Sequence, residues 1–304
     1  MIIDEQIVIG SVIPAVEVYD IYTGKLQWKY YLRKINMYLK ILKIYGGFMK
    51  YLIILVLSIS AFLSAADYKY QPVPNKAEYY IGKFNSGKDM DALVSWGEMF
   101  VDWSAENNWR QSTTTVIMTT YFDDSISDAD YVWLNIIPNA KEQYTSLETW
   151  LEVGTDLLNT LPVTNERVID TIQWPISSPS DADSDNGIVR FSDCTMNEGV
   201  TARDMFDAYK EFDAKAKSMG DNLGRKMIFP FAGAGTIDYD FVYSLYGSSM
   251  EDFGFAVDNY GENLALTDEA MKMNSMVECG NSRVLTTNRI QSCLLYTSPS
   301  PRDS

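Results

Sequence analysis

The residues that could do chemistry in this chain are defined first by what is missing. The 304-residue sequence has no histidine. That removes Ser-His-Asp and Cys-His nucleophilic catalysis, His-ligated zinc, and haem on a proximal histidine. Any acid–base work falls to Asp, Glu, Tyr, Lys or Cys. Lys83 and Arg190 are cations in the middle of the strand-like runs EYYIGKFN and GIVRFSDCT. A cation directed into packed space is costly unless paired. Each therefore holds an anionic group such as a ligand carboxylate, or it points to an edge or pairs with a local acid. Thr119, Tyr121, Trp133 and Asn135 share alternate positions of two neighbouring strand-like runs, and Ser244, beside Val242, stands at the matching place in a later one. An aromatic wall with a few polar groups is the usual form of a small-molecule pocket; it is also the form of a packed core.

Asp181, Asp183 and Asp185 form a D-x-D-x-D run like the start of a calcium loop. Gly187 falls one place late, and Ser192 stands where a bidentate glutamate belongs, so a solvated acidic linker competes with that reading. Trp96, Trp103 and Trp109 read as an interface between helices rather than a cofactor box. Gly233-Ala-Gly235 lacks the helix start and the lysine of a phosphate loop, and no GxGxxG is present. No cofactor is implied, and no catalytic residue stands out. Cys194 and Cys279 are either a disulfide or two buried thiols.

Acidic residues outnumber basic ones, 41 Asp and Glu against 25 Lys and Arg, for a net charge of −16. No basic block interrupts them. Nucleic acid and anionic membrane surfaces both require a positive footprint, so neither is an expected partner, whereas a small organic ligand is. Oligomeric state is not implied. Met49-Lys50, the apolar run 51–62 and Ser64-Ala65-Ala66 have the three parts of a bacterial-type signal peptide over 49–66, with cleavage before Asp67. The uncharged run is shorter than the roughly 20 residues that span a bilayer. The expected location is periplasmic or secreted. Residues 1–48 would then lie upstream of the true start, and Tyr45-Gly46-Gly47-Phe48 reads as a translated ribosome-binding site. Residues 293–303 back-translate to a sequence resembling a transposase-type sequencing adapter, so 293–304 reads as an artefact.

The elements that must position the candidates follow from periodicity. After a linker at 67–77, strands are predicted at 78–85, 113–122, 130–138 and 166–176. Helices are predicted at 88–109 and 141–161. A polar linker, SSPSDADSDN, covers 177–186. The same order then recurs, with strands at 187–195, 225–232, 239–246 and 282–291, helices at 201–219 and 248–264, and a loop at 265–281. Several pairs match in order at a steady offset. They include Lys83-Phe84 with Arg190-Phe191, Trp96-Gly-Glu-Met with Tyr209-Lys-Glu-Phe, and Arg167-Val168 with Arg283-Val284. Such a series is the sign of an internal repeat.

A βαββαβ order is the split βαβ, ferredoxin-like module, with helices on one face of an antiparallel sheet. Units 78–176 and 187–292 would each be one. The bare face is apolar: Val132, Leu134 and Ile136 need burial, and a second sheet packed face to face would supply it. In this respect the chain resembles the dimeric α+β barrel superfamily, which includes antibiotic-biosynthesis monooxygenases, chlorite dismutases and NIPSNAP-like proteins. Here two halves would be fused. The resemblance implies an α+β fold in which two tandem ferredoxin-like units pack their sheets as a pseudo-dimeric barrel. It also implies, as one functional class, a cofactor-independent monooxygenase or isomerase. The haem members use a histidine that this chain lacks. In the module the first and fourth strands are neighbours, which brings Cys194 and Cys279 together. A bridge there would contribute about 4–5 kcal/mol on the chain-entropy argument. The readings weighed are a binder of a small organic ligand or protein partner, an enzyme of the kind named, and a structural protein with a filled interior.

Overall fold

The computed structural model describes four short strands within residues 2–31, together with residues 68–110, 112–122, 128–180 and 184–292. The signal-peptide and adapter-like segments lie outside the described residues. Two units are present, residues 1–68 and 69–304. In the first, β1 (Ile2–Ile3), β2 (Gln6–Gly10), β3 (Ala15–Asp20) and β4 (Leu26–Tyr31) form an antiparallel sheet in chain order.

The second unit begins with β5 (Asn75–Phe84), α1 (Met90–Glu106), β6 (Thr114–Phe122) and β7 (Tyr131–Ile137). Helices α2 (Ala140–Val153) and α3 (Thr155–Leu158) follow, then β8 (Val163–Ser177) and β9 (Asn186–Met196). Helix α4 (Ala202–Ser218), β10 (Gly224–Ala232), β11 (Phe241–Gly247) and α5 (Met250–Asn259) come next. A π turn at Tyr260–Leu264, α6 (Asp268–Asn274) and β12 (Val277–Gln291) complete the unit. Local chemistry sets these boundaries. Asp89 caps α1 by accepting from the Ala92 amide at 3.0 Å. Thr201 and Asp204 form a reciprocal capping box on α4. Gly154 interrupts the helix expected over 141–161. The loop expected over 265–281 instead holds α6, capped by Thr267, and the start of β12.

The expectation of two tandem ferredoxin-like units with sheets packed face to face is corrected by the sheet itself. The eight strands form one closed antiparallel barrel in the order β10-β11-β9-β12-β6-β7-β5-β8. β6 pairs with β12, and β8 pairs with β10 to close the circle. The physical reason is the edges. Two separate sheets would leave four strands with unpaired backbone groups, and closure satisfies all of them. The apolar faces expected to meet as layers instead line a lumen, where Val132, Leu134, Val189, Phe191, Ile228 and Leu285 pack together.

Outside the barrel, helices cover two further cores. Leu93, Trp96 and Phe100 of α1 pack on Ile117, Tyr131 and Trp133. Met205, Phe206, Tyr209 and Phe212 of α4 pack on Trp174, Met227, Phe241 and Leu245. Gly187 matters to the lumen. A Cβ there would lie 2.4 Å from the Gly247 carbonyl oxygen, so only glycine allows β9 and β11 to meet at that register. Cys194 and Cys279 face each other across β9 and β12 and form the disulfide, with Cα atoms 4.1 Å apart.

Candidate functional site

The barrel places the sequence-predicted residues around three separate spaces. Trp133 and Asn135 come together on the outer face of β7, beneath α1 and α2. They border a cavity of about 110 Å³ walled by Trp96, Phe100, Trp109 and Trp150. Asn135 Oδ1 is already occupied. It accepts from Trp133 Nε1 at 2.9 Å and from Thr115 Oγ1 at 3.0 Å. Trp133 meets Trp96 and Phe100 edge-on, with ring centroids 5.4 and 5.2 Å apart. This is a packed aromatic core. Thr119 and Tyr121 share the face of β6 but run beyond the helices and are exposed, as is Lys83. Those three are not part of any pocket wall described. Ser244 is buried on the inner face of β11 and faces the lumen cavity, of about 180 Å³. Asp181 and Asp183 lie outside the described residues. Asp185 is at the lumen mouth, 3.4 Å from Arg289. No group of three potential metal-ligating side chains stands together among the described residues.

Arg190 is the candidate that reaches an open, polar cavity. It projects from the outer face of β9 into a space of about 360 Å³ between the barrel and α4, α5 and α6. The walls include Tyr209, Phe212, Tyr243, Leu245 and Tyr260. Tyr209 and Tyr243 stack with centroids 4.8 Å apart and planes 9° apart. Burial pushes both hydroxyls above the usual tyrosine range, against the pull of Arg190, so they are proton donors rather than bases. Ser192 and Ser282 hydroxyls meet at 2.7 Å on the same wall.

Two arginines border this cavity and differ in one respect. Arg225 Nη1 donates to Asp213 at 2.7 Å, and its Nη2 donates to Asp221. Its charge is answered twice. Arg190 is partly buried, and no carboxylate lies within ion-pair distance of it among the described residues; its Nε, like that of Arg225, has no hydrogen-bond partner. A guanidinium in that state is a binding group lacking its anion.

The first half carries a different ionic cluster, which sequence reasoning missed. Arg110 holds Glu78 through two hydrogen bonds, 2.6 and 2.9 Å, and donates from Nε to Ser146 at 2.6 Å. Gln143 Nε2 donates to Glu78 at 3.0 Å and to Asp170 at 3.1 Å. Burial would raise the Glu78 pKa; Arg110 outweighs it and holds the carboxyl below its ordinary value. The Arg110 and Glu78 charges answer each other and tie α2 to the barrel through Gln143 and Ser146, while Gln143 Oε1 and Asp170 Oδ2 are buried without a hydrogen-bond partner.

The wall of the Arg190 cavity does not suit a haem. The chain has no histidine, Cys279 is consumed in the disulfide, and Tyr209 and Tyr243 are held as phenols.

No protein-family model matches the chain, and no curated protein matches it. Solved structures do. A "putative monooxygenase" from Lactobacillus acidophilus NCFM aligns with a TM-score of 0.45 at 15% identity, over 72% of this chain and 95% of that one. A mutant chlorite dismutase from Candidatus Nitrospira defluvii aligns at 0.43 and 11% identity, over 74% and 95%. A haem-binding protein from Thermus thermophilus aligns at 0.41 and 13% identity, over 73% and 95%.

Proposed function

We propose that the chain binds a small planar organic anion in the cavity between the barrel and α4–α6, with Arg190 as its counter-charge. The observation that carries this is the partly buried Arg190 guanidinium on the cavity wall with no acid within ion-pair distance among the described residues, where Arg225 beside it has two. Burying a charge without a partner is costly. A carboxylate or phenolate that accepted two parallel N–H bonds would remove that cost. The stacked Tyr209 and Tyr243 line the cavity, with hydroxyl groups that stay protonated. A volume of about 360 Å³ is within the range of small-molecule sites. The test is calorimetric titration of salicylate, benzoate and neutral benzyl alcohol into wild type and Arg190→Met. Losing a hydrogen bond to a charged group costs about 1.5–3 kcal/mol, so the acids should bind about 10- to 150-fold more weakly to the variant. Equal affinity for acids in both proteins would refute the proposal.

A second reading, a cofactor-independent monooxygenase or isomerase, is favoured by one feature of the same cavity. Asp213 and Asp221 are committed to Arg225, so neither is a free base. A phenol or enol placed against Arg190 would instead lose its own proton more readily, because the cation stabilises the anion formed. Oxygen uptake with a hydroquinone, abolished in Arg190→Met, would support this reading. Binding without uptake would leave the chain a binder.

We also propose export, from the signal-like segment at 49–66. The Cys194–Cys279 bridge supports an oxidising compartment. N-terminal sequencing of the secreted protein should start at Asp67.

A further inference from the structure

Near its start β10 carries two adjacent cations, Arg225 and Lys226, and although its register with β8 shifts between them they lie on opposite sides of the barrel. Arg225 goes outward to its two aspartates. Lys226 goes inward, to the lumen cavity of about 180 Å³. The surrounding walls are Val116, Leu134, Ile136, Phe191 and Ile228. Lys226 Nζ donates to Gln173 Oε1 at 3.2 Å and lies 5.0 Å from the Tyr246 ring centroid. Gln173 donates in turn to the Tyr79 hydroxyl at 2.8 Å. The Tyr79 proton has no acceptor among the described residues.

The other charged groups lining this cavity are Asp185 and Arg289, paired with each other at the mouth; Arg283, paired with Asp193, packs on Phe191 and acts on Tyr79. No carboxylate reaches Lys226 among the described residues. Lys226 is half-buried as a residue and lines the cavity. Burial pushes its pKa down to about 8, while it pushes Tyr79 and Tyr246 up, leaving two phenols beside an amine that is readily neutral.

We propose that the lumen is a second site, in which Lys226 Nζ captures a short aliphatic aldehyde as an imine. The amine lone pair forms a C–N bond to the carbonyl carbon as the carbonyl π pair moves to oxygen. A proton passes from nitrogen to that oxygen to give the carbinolamine. The hydroxyl leaves as water, and nitrogen gives up its second proton. Amine and aldehyde thus become imine and water, and nothing is oxidised or reduced. The surroundings favour this ligand class. The walls are apolar, the space suits a chain of about four to six carbons, and the product is a neutral nitrogen in a place where a charged one is costly. The Tyr79 hydroxyl is the proton donor available to the departing oxygen.

The test is reductive trapping of the full chain with butanal and cyanoborohydride at pH 7.5, followed by peptide mass mapping. At that pH an amine of pKa about 8 is neutral about 200-fold more often than one at the ordinary 10.5. Lower basicity takes back part of that in reactivity, so Lys226 should label at least tenfold faster than any other lysine. The selectivity should vanish in denaturant, and the fast phase should be absent from Lys226→Met. Labelling of Lys226 no faster than surface lysines in the folded protein would overturn the proposal. Protection of the lumen by butyrate without labelling by butanal would overturn it too, in favour of a simple anion site.

Discussion

Replacing Lys226 by methionine should make this protein more stable, and the gain should depend on pH. Folding moves the amine from its ordinary pKa of 10.5 to about 8 by burial alone. At about 1.4 kcal/mol per pH unit, that is about 3 kcal/mol of stability lost wherever the folded protein carries the charge. Lys226 retains some accessible surface, so about 2 kcal/mol is the better expectation. Methionine orphans nothing of consequence, because Gln173 Oε1 keeps the Asn75 amide at 3.3 Å as a donor. The sign follows from proton counting. Below pH 8 both folded and unfolded chains hold the proton, and the wild type bears the full penalty. Between pH 8 and 10.5 the unfolded chain holds it and the folded chain does not, so wild-type stability rises with pH toward that of the variant. Urea unfolding followed by tryptophan fluorescence at pH 7, 8 and 9.5, disulfide intact, measures this. The account expects Lys226→Met to lead by about 2 kcal/mol at pH 7 and by clearly less at pH 9.5. A variant that is less stable, or a difference that ignores pH, would show that burial of the Lys226 charge does not weaken the fold.

Other consequences follow from the ionic cluster and the bridge. Arg110→Met leaves Glu78 buried with only uncharged partners, Gln143, Tyr80 and Asn135. It should cost about 3–5 kcal/mol at pH 7 in chemical denaturation. In wild type the lowered Glu78 pKa supplies stability that is present above the carboxyl's unfolded value and lost as pH falls through the folded one. In the variant that pKa should be raised, so the deficit should shrink at pH 5; an unchanged deficit would count against the cluster. Converting Cys194 and Cys279 together to alanine opens a crosslink spanning 85 positions. It should cost about 4–5 kcal/mol, and a loss below about 1 kcal/mol would show that β9 and β12 hold without it.

The order of strands and helices was legible because each leaves a local signature. Helical spacing of Met90, Leu93, Val94, Gly97, Phe100 and Val101, and the alternation of Val132, Leu134 and Ile136, set element types within a few residues. Barrel closure was not legible. The pairing of Val116 with Arg289, or of Met227 with Trp174, joins residues far apart in the chain, and no local pattern encodes it. Side-chain direction failed for the same reason in one strand. Ser244 was grouped with Trp133 and Asn135, yet β11 directs Val242 and Ser244 into the lumen and Tyr243 and Leu245 toward the helices. Lys83, Thr119 and Tyr121 have suitable chemistry in strands that run past their cover. The neighbouring Arg225 and Lys226 were passed over in the sequence, though two adjacent cations in an apolar strand buried on both faces point one to each side.

The account rests on Arg190 as the anchor of an anionic ligand. A crystal structure of the protein grown with salicylate tests it directly. The account predicts the carboxylate paired side-on with the Arg190 guanidinium and the ring lying along the Tyr209–Tyr243 stack. Salicylate bound elsewhere, with Arg190 turned to solvent or paired to an acid of its own chain, would contradict it.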